Sequence, residues 1–187
     1  MRYVGDMTDD LASRDRLPPD LVTLLADWPR ERWSDVPGFE GLSSFWLDRH
    51  LGFRDLMSGL RLDAEHMSGG RIDPHRWQGR LLRGGEQLVQ GLIGHHQVED
   101  ASYFPAMVKL EPRLARGFEL LDSDHHALDA LLDGFVTAAN DALQAPDARE
   151  AALIFHQSLA PFERQLIRHL EDEEDLIIPV ILKHQMG

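Results

Sequence analysis

The chain has 187 residues, with 19 Lys and Arg against 32 Asp and Glu, a formal charge of -13, and no cysteine. Such a charge argues against nucleic acid and anionic membrane as partners, because both need a basic face. The missing thiols exclude disulfides, cysteine-ligated zinc, iron–sulfur clusters and a thiol nucleophile. A hydrophobic content of 43% and a charged content of 27% are globular values, and a chain this long buries roughly 70% of its unfolded surface without staples. No apolar run approaches the ~20 residues of a membrane span. The stretch Met1–Asp6 lacks the apolar core of a secretory leader, so the expected location is the cytoplasm. Ten histidines, most of them on helical segments, are the feature to explain.

Residues 1–40 form their own compositional zone, with Pro18, Pro19, Pro29 and Pro37 around Trp28 and Trp33. A short helix is expected near Pro19–Leu25 and loop elsewhere. The tryptophans are too large to stay wet, so this extension should pack on the body. From residue 41 the period is helical. A first helix, with Ser43 or Ser44 as candidate N-cap, carries Trp46, His50, Phe53, Met57 and Leu60 at 4, 3, 4, 3 spacing. Ser68-Gly69-Gly70 ends it, and Asp73-Pro74 starts a second helix running to about Leu110. That helix is rich in glycine, each costing up to ~1 kcal/mol against Ala. After Glu111-Pro112 a third helix shows Phe118, Leu121, His125, Leu128, Leu132 and Phe135 on one face. After Ala145-Pro146-Asp147 a fourth carries Phe155, Leu159, Phe162, Leu166, His169, Glu173, Leu176 and Val180, with a kink expected at Pro161 and Pro179 near its end. Strand signals are absent. The expectation is an all-α, antiparallel four-helix bundle over 41–187 with an N-terminal extension over 1–40.

The chain repeats its chemistry. His95-His96-Gln97-Val98-Glu99-Asp100-Ala101-Ser102-Tyr103-Phe104-Pro105 and His169-Leu170-Glu171-Asp172-Glu173-Glu174-Asp175-Leu176-Ile177-Ile178-Pro179 share the pattern H-x-x-x-E-[D/E]-x-x, two apolar residues, then Pro. Each copy follows a lone seam histidine, His50 or His125, 45 or 44 residues earlier. His and Glu at i and i+4 share one helical face, about 6 Å apart at Cβ. Two such helices and two further histidines can surround a pair of metal ions. Imidazole and carboxylate donors with open positions suit non-haem iron, with manganese or zinc as alternatives.

Phase selects among neighbouring histidines. His125 is in register with Leu121 and Leu128, whereas His126 is in register with Asp122, Asp129 and Asp133. His95-Glu99 aligns with Leu88 and Leu92, and His96-Asp100 with Val89 and Ile93. The repeat decides for His95, which has the same distance to Pro105 that His169 has to Pro179. His66 and His156 lie roughly 20 Å or more along their helices from the motif histidines. His75 and His184 are near helix ends, and all four read as surface or capping residues. Taken singly, any seam histidine is an ordinary hydrogen-bonded core residue, and the run Glu171–Asp175 is an ordinary solvated acidic face. Six polar residues on four apolar seams, repeated in two halves, would each cost several kcal/mol if buried without partners. The candidate metal ligands are therefore His50, His95, Glu99, His125, His169 and Glu173.

This constellation resembles the hemerythrin-like proteins, the HHE cation-binding domain, over about residues 41–185. The resemblance implies a four-helix bundle with a non-haem di-iron centre. It implies that Glu99 and Glu173 bridge the metals, with His50 and His95 serving one and His125 and His169 the other. Oxygen carriers of the family have a further histidine where this chain has Leu121, a departure that weighs against pure oxygen carriage. His96, Asp100, Asp122 and Glu174 are spare groups, and phase argues against most of them. The function implied is binding of dioxygen or another small oxidant for sensing, storage or detoxification. One alternative is enzymatic turnover of peroxide or nitric oxide, for which Tyr103 is a candidate proton donor and otherwise a core aromatic. Another is a structural metal in an interaction module. The expected partner is a small diatomic or peroxide ligand, and the sequence sets no oligomeric state.

Overall fold

The computed structural model describes residues 9–186; Met1–Thr8, which includes the stretch Met1–Asp6 weighed above for a leader, and Gly187 lie outside the described residues. Among the described residues there is helix and no strand. The five α-helices are α1 (Leu42–Ser68), α2 (Pro74–Val98), α3 (Phe104–Leu110), α4 (Ala115–Gln144) and α5 (Ala148–His184). A π-helical turn, Glu99–Tyr103, joins α2 to α3 without a break in the helix. The second helix of the sequence thus does reach Leu110, but through a widened turn.

The helix ends follow from local chemistry. The Ser44 hydroxyl bonds the Gly41 carbonyl and receives the Gly41 N–H, both at 3.1 Å, at the start of α1. Asp73 Oδ1 accepts the Arg76 N–H at 3.1 Å, and Asp147 Oδ1 accepts the Arg149 and Glu150 N–H groups at 2.9 and 3.2 Å. At the end of α1, Gly70 has φ 68°, a left-handed conformation that only glycine adopts freely, while the Arg71 N–H closes on the His66 carbonyl at 2.7 Å. Helix α5 continues through Pro161 and Pro179 to His184.

The chain divides into two compact units. The first comprises Met1–His50, Gln97–Ala127 and Ile167–Gly187, and the second Leu51–His96 and Leu128–Leu166. In the second unit the α1 seam continues as buried Phe53, Met57, Leu60, Ala64 and Met67, holding its 4, 3 spacing. Phe135 packs on Phe155 and Phe162 at centroid distances of 5.7 and 5.8 Å. A Cβ on Gly91 would meet Phe53 at 2.9 Å, so this glycine permits a close approach that α2 could not otherwise make.

The first unit has a core built differently. On α5, Leu176, Ile177, Ile178, Val180, Ile181 and Leu182 are all buried, so this stretch is apolar and covered on every side. Part of the cover comes from residues 9–40, whose Leu17, Leu21, Leu24 and Trp33 belong to the same apolar cluster. Fully burying one such side chain contributes about 1.5–3 kcal/mol. The short helix expected at Pro19–Leu25 is a turn followed by a 3₁₀ turn at Thr23–Ala26, and a second 3₁₀ turn, Arg30–Asp35, occupies what read as loop. Pro29 initiates that second turn, and the Trp33 indole N–H donates to the Trp28 carbonyl at 2.8 Å.

Candidate metal centre

Five of the six expected ligands fall in the first unit, and all five are buried. His50 on α1, His169 and Glu173 on α5 are 0% exposed, Glu99 at the head of the π turn 1%, and His125 on α4 2%. Ligand atoms of His50, Glu99 and Glu173 lie within 4.8 Å of one another, and those of His125 and His169 do the same. The phase argument for His125 holds, since His126 is exposed.

The three imidazoles are oriented alike. Each turns Nε2 toward one of the two inner carboxylates: His50 to Glu173 Oε1 at 3.3 Å, His125 to Glu99 Oε2 at 3.5 Å, and His169 to Glu173 Oε2 at 3.4 Å. Each turns Nδ1 toward a second carboxylate further out. These contacts are His50 to Glu174 at 3.0 Å, His125 to Asp100 at 2.8 Å and His169 to Asp124 at 3.5 Å. An outer acceptor at Nδ1 fixes the tautomer that leaves Nε2 as a ligand, and raises its basicity. The indole N–H of Trp46 donates to Glu173 Oε1, which pins that carboxylate in the middle of the set. Phe104 stacks on the His125 ring at 5.5 Å and 24°.

The electrostatics of the cluster favour a cation. Burial, and after it the facing Glu173 carboxylate, push Glu99 well above the usual carboxylate range. Burial alone would lower the buried imidazoles. Glu173 and Glu174 outweigh it at His50 and raise that ring, while Asp124 and Glu173 raise His169 to about 9. Carboxylates crowded in a dry pocket, with basic ring nitrogens aimed at them, make a place for positive charge. The donor set, carboxylate oxygen plus imidazole nitrogen, fits a divalent transition metal.

Three outer acids and one indole were not legible as site residues. Phase argues against Glu174 and Asp100, yet each contacts a candidate ligand histidine. The signal was the second acid of the H-x-x-x-E-[D/E] pattern. In the first copy it serves His125 and in the second His50. Asp124, next to His125, and Trp46, one turn before His50, gave no signal beyond their burial. The run Glu171–Asp175 is not a solvated face, because Asp172, Glu173 and Glu174 are all buried.

His95, chosen from the repeat, and its neighbour His96 differ in burial. Both sit at the end of α2, in the second unit. His96 is 4% exposed, while His95 is half-buried with its ring 5.3 Å from Phe53. The buried stripe runs Leu88, Leu92, His96, Glu99 and then Phe104. The five-residue step from Glu99 to Phe104 is the π turn, and nothing comparable interrupts α5. The two copies thus reach their prolines, at equal distances in sequence, by different helical paths. Tyr103 is half-buried, edge-on to Trp46 at 4.9 Å.

A buried set of histidines and carboxylates on helices defines a metal-binding helical protein. The family model of the hemerythrin HHE cation-binding domain matches residues 41–181, and the chain belongs to that family. Comparison with curated proteins and with solved structures gives no match.

Proposed function

We propose that the chain is a non-haem di-iron protein that binds dioxygen or a related small oxidant, for sensing, storage or detoxification. Its ligands are His50, His95, Glu99, His125, His169 and Glu173 on an antiparallel four-helix bundle over 41–187, with 1–40 as an extension. His96 joins them, since its burial on the stripe that leads to Glu99 suits an inward ligand. The observation that carries the reading is the shared orientation of His50, His125 and His169, with Nε2 toward an inner carboxylate and Nδ1 toward an outer one.

When bound, a metal pair of this kind supplies electrons and open coordination positions for a small oxidant. The chain's own residues set the conditions. Glu99 and Glu173 would hold the ions, and the Trp46 indole N–H orients the Glu173 carboxylate. Leu121, fully buried next to the histidine turn of α4, supplies an apolar wall and no ligand. Asp100 reaches the surface in a groove of about 430 Å³ lined also by Phe104, Phe118 and Asp122. Because Asp100 lines this groove and also contacts His125, the groove is the proposed entry for a small molecule. The working compartment is the cytoplasm, and neither nucleic acid nor membrane is a partner. Among the described residues no helix is long and apolar enough to cross a membrane.

The test is anaerobic loading with iron, metal analysis, and then exposure to air, peroxide and nitric oxide. A stable spectral adduct supports binding, sensing or storage. Multiple turnovers would make the chain an enzyme on peroxide or nitric oxide. Tight retention of zinc with no redox response would make the metal structural and overturn the proposal.

A further inference from the structure

Residues 9–40 lie before the segment matched by the family model, yet they place two guanidinium groups directly behind the candidate ligands. Arg14 is 6% exposed. Its Nε donates to Asp172 Oδ2 at 2.9 Å, its Nη1 to the Asp9 carbonyl at 2.7 Å, and its Nη2 to Asp124 Oδ2. That same Asp124 oxygen faces His169 Nδ1. Arg30 is exposed, with 38% side-chain exposure. Its Nη1 donates to Glu174 Oε2 at 2.8 Å, its Nε to Asp175 Oδ1 at 2.5 Å and its Nη2 to the Glu171 carbonyl at 2.7 Å. The other Glu174 oxygen faces His50 Nδ1 at 3.0 Å. The Arg30 guanidinium also lies over the Trp33 ring, 5.0 Å from its centroid, which fixes it to the buried part of the extension.

Two relays of one design result: Arg14 to Asp124 to His169, and Arg30 to Glu174 to His50. We infer that Arg14 and Arg30 are positioning residues for the metal centre, each fixing one ligand histidine through a buried carboxylate. The inference rests on the metal-centre reading above. A guanidinium shares the carboxylate's negative charge, so the carboxylate accepts less strongly from the imidazole N–H. Without it the carboxylate draws that proton harder, the ring becomes a stronger donor, and the oxidised metal is favoured. The extension thereby holds the centre at a higher potential than the helices alone would set.

The experiment uses the full chain carrying Arg30→Gln, Arg30→Lys, Arg14→Gln, or Arg116→Gln as control. Arg116 also ties the extension down, through Asp9 and Asp20, but on the surface and with no link to a ligand histidine. Metal content and midpoint potential are measured after anaerobic iron loading. The expected result is wild-type metal content in Arg30→Gln with a shift to lower potential, recovery of most of the shift in Arg30→Lys, and no shift in Arg116→Gln. Arg14→Gln should shift in the same direction. Should that deeply buried variant fail to fold, the half-exposed Arg30 pair still decides. An unchanged potential in Arg30→Gln, or an equal shift in Arg116→Gln, overturns the positioning role while leaving the metal reading intact. A wild-type chain that takes up no metal overturns both.

Discussion

The two copies of the His–Glu pattern share a sequence and differ in construction. In the first, the helix widens into a π turn at Glu99–Tyr103, and its second acid, Asp100, has 34% side-chain exposure beside a surface groove. In the second, α5 runs on without interruption, and Glu174 is 5% exposed and locked by Arg30. Asp172, beside Glu173, accepts from Arg14 and from the Leu17 N–H at 3.1 Å. A repeated motif therefore supplies equivalent ligands without equivalent surroundings. One copy is anchored by residues from outside the family domain, and the other is left close to solvent. The copy beside the groove is the side proposed for entry of a small molecule.

Variants can break or sharpen this contrast. The largest effect is expected where the copies are alike. Glu99→Ala and Glu173→Ala should each abolish loading of both ions, because each carboxylate is shared. Retention of one full-affinity ion by either would refute the bridging role. Next, Arg14→Met should destabilise the fold by about 3–5 kcal/mol, since it strands Asp124 and Asp172 in a dry interior. Urea unfolding measures this, and a loss below about 1 kcal/mol would show that the extension is peripheral. The outer acids should then separate. Glu174→Gln should cost the metal-free protein about 1.5–3 kcal/mol, as a buried charge-assisted bond is lost. Asp100→Asn, nearer solvent and still an acceptor, should cost less than about 1 kcal/mol. Equal costs would erase the distinction between the copies.

The smallest effect concerns the link between the helices that carry them. Glu111, just after α3, accepts from Lys183, from His184 Nε2 at 2.8 Å and from Arg113 Nε at 3.0 Å. Burial would raise its pKa, but Lys183, His184 and Arg113 outweigh burial and hold it at about 2. Its folded value lies below its unfolded one, so its contribution is present above the ordinary carboxylate range and is lost as pH falls toward about 2. Glu111→Gln should therefore lower stability at pH 7 and flatten its dependence on pH between about 4.5 and 2. An unchanged acid-unfolding profile would contradict this.

Much of this was legible in the chain, for physical reasons. The seam of α1 obeys heptad spacing from Trp46 to Met67, and Asp73, Asp147 and Gly70 mark helix ends with ordinary capping chemistry. His125 could be told from His126 because a regular helix keeps phase. The greater burial of His96 over His95 and the π turn just beyond them leave no mark in a pattern read at a fixed period. The extension hid its part for another reason. Arg14 and Arg30 look like surface residues in an arginine-containing, proline-rich stretch, and only long-range pairing brings them to the buried acids of α4 and α5. One indirect signal existed: Leu176–Leu182 is apolar on all faces, more than a bundle seam requires, and so demands a further layer.

The central claim is that these helices hold a pair of redox-active metals. Iron titration of the metal-free full chain under anaerobic conditions, with metal analysis and an optical spectrum before and after air, tests it most directly. The account predicts about two irons per chain and a near-ultraviolet charge-transfer band on oxidation. A chain that stays colourless, binds no iron, and unfolds at the same urea concentration with and without metal would contradict it.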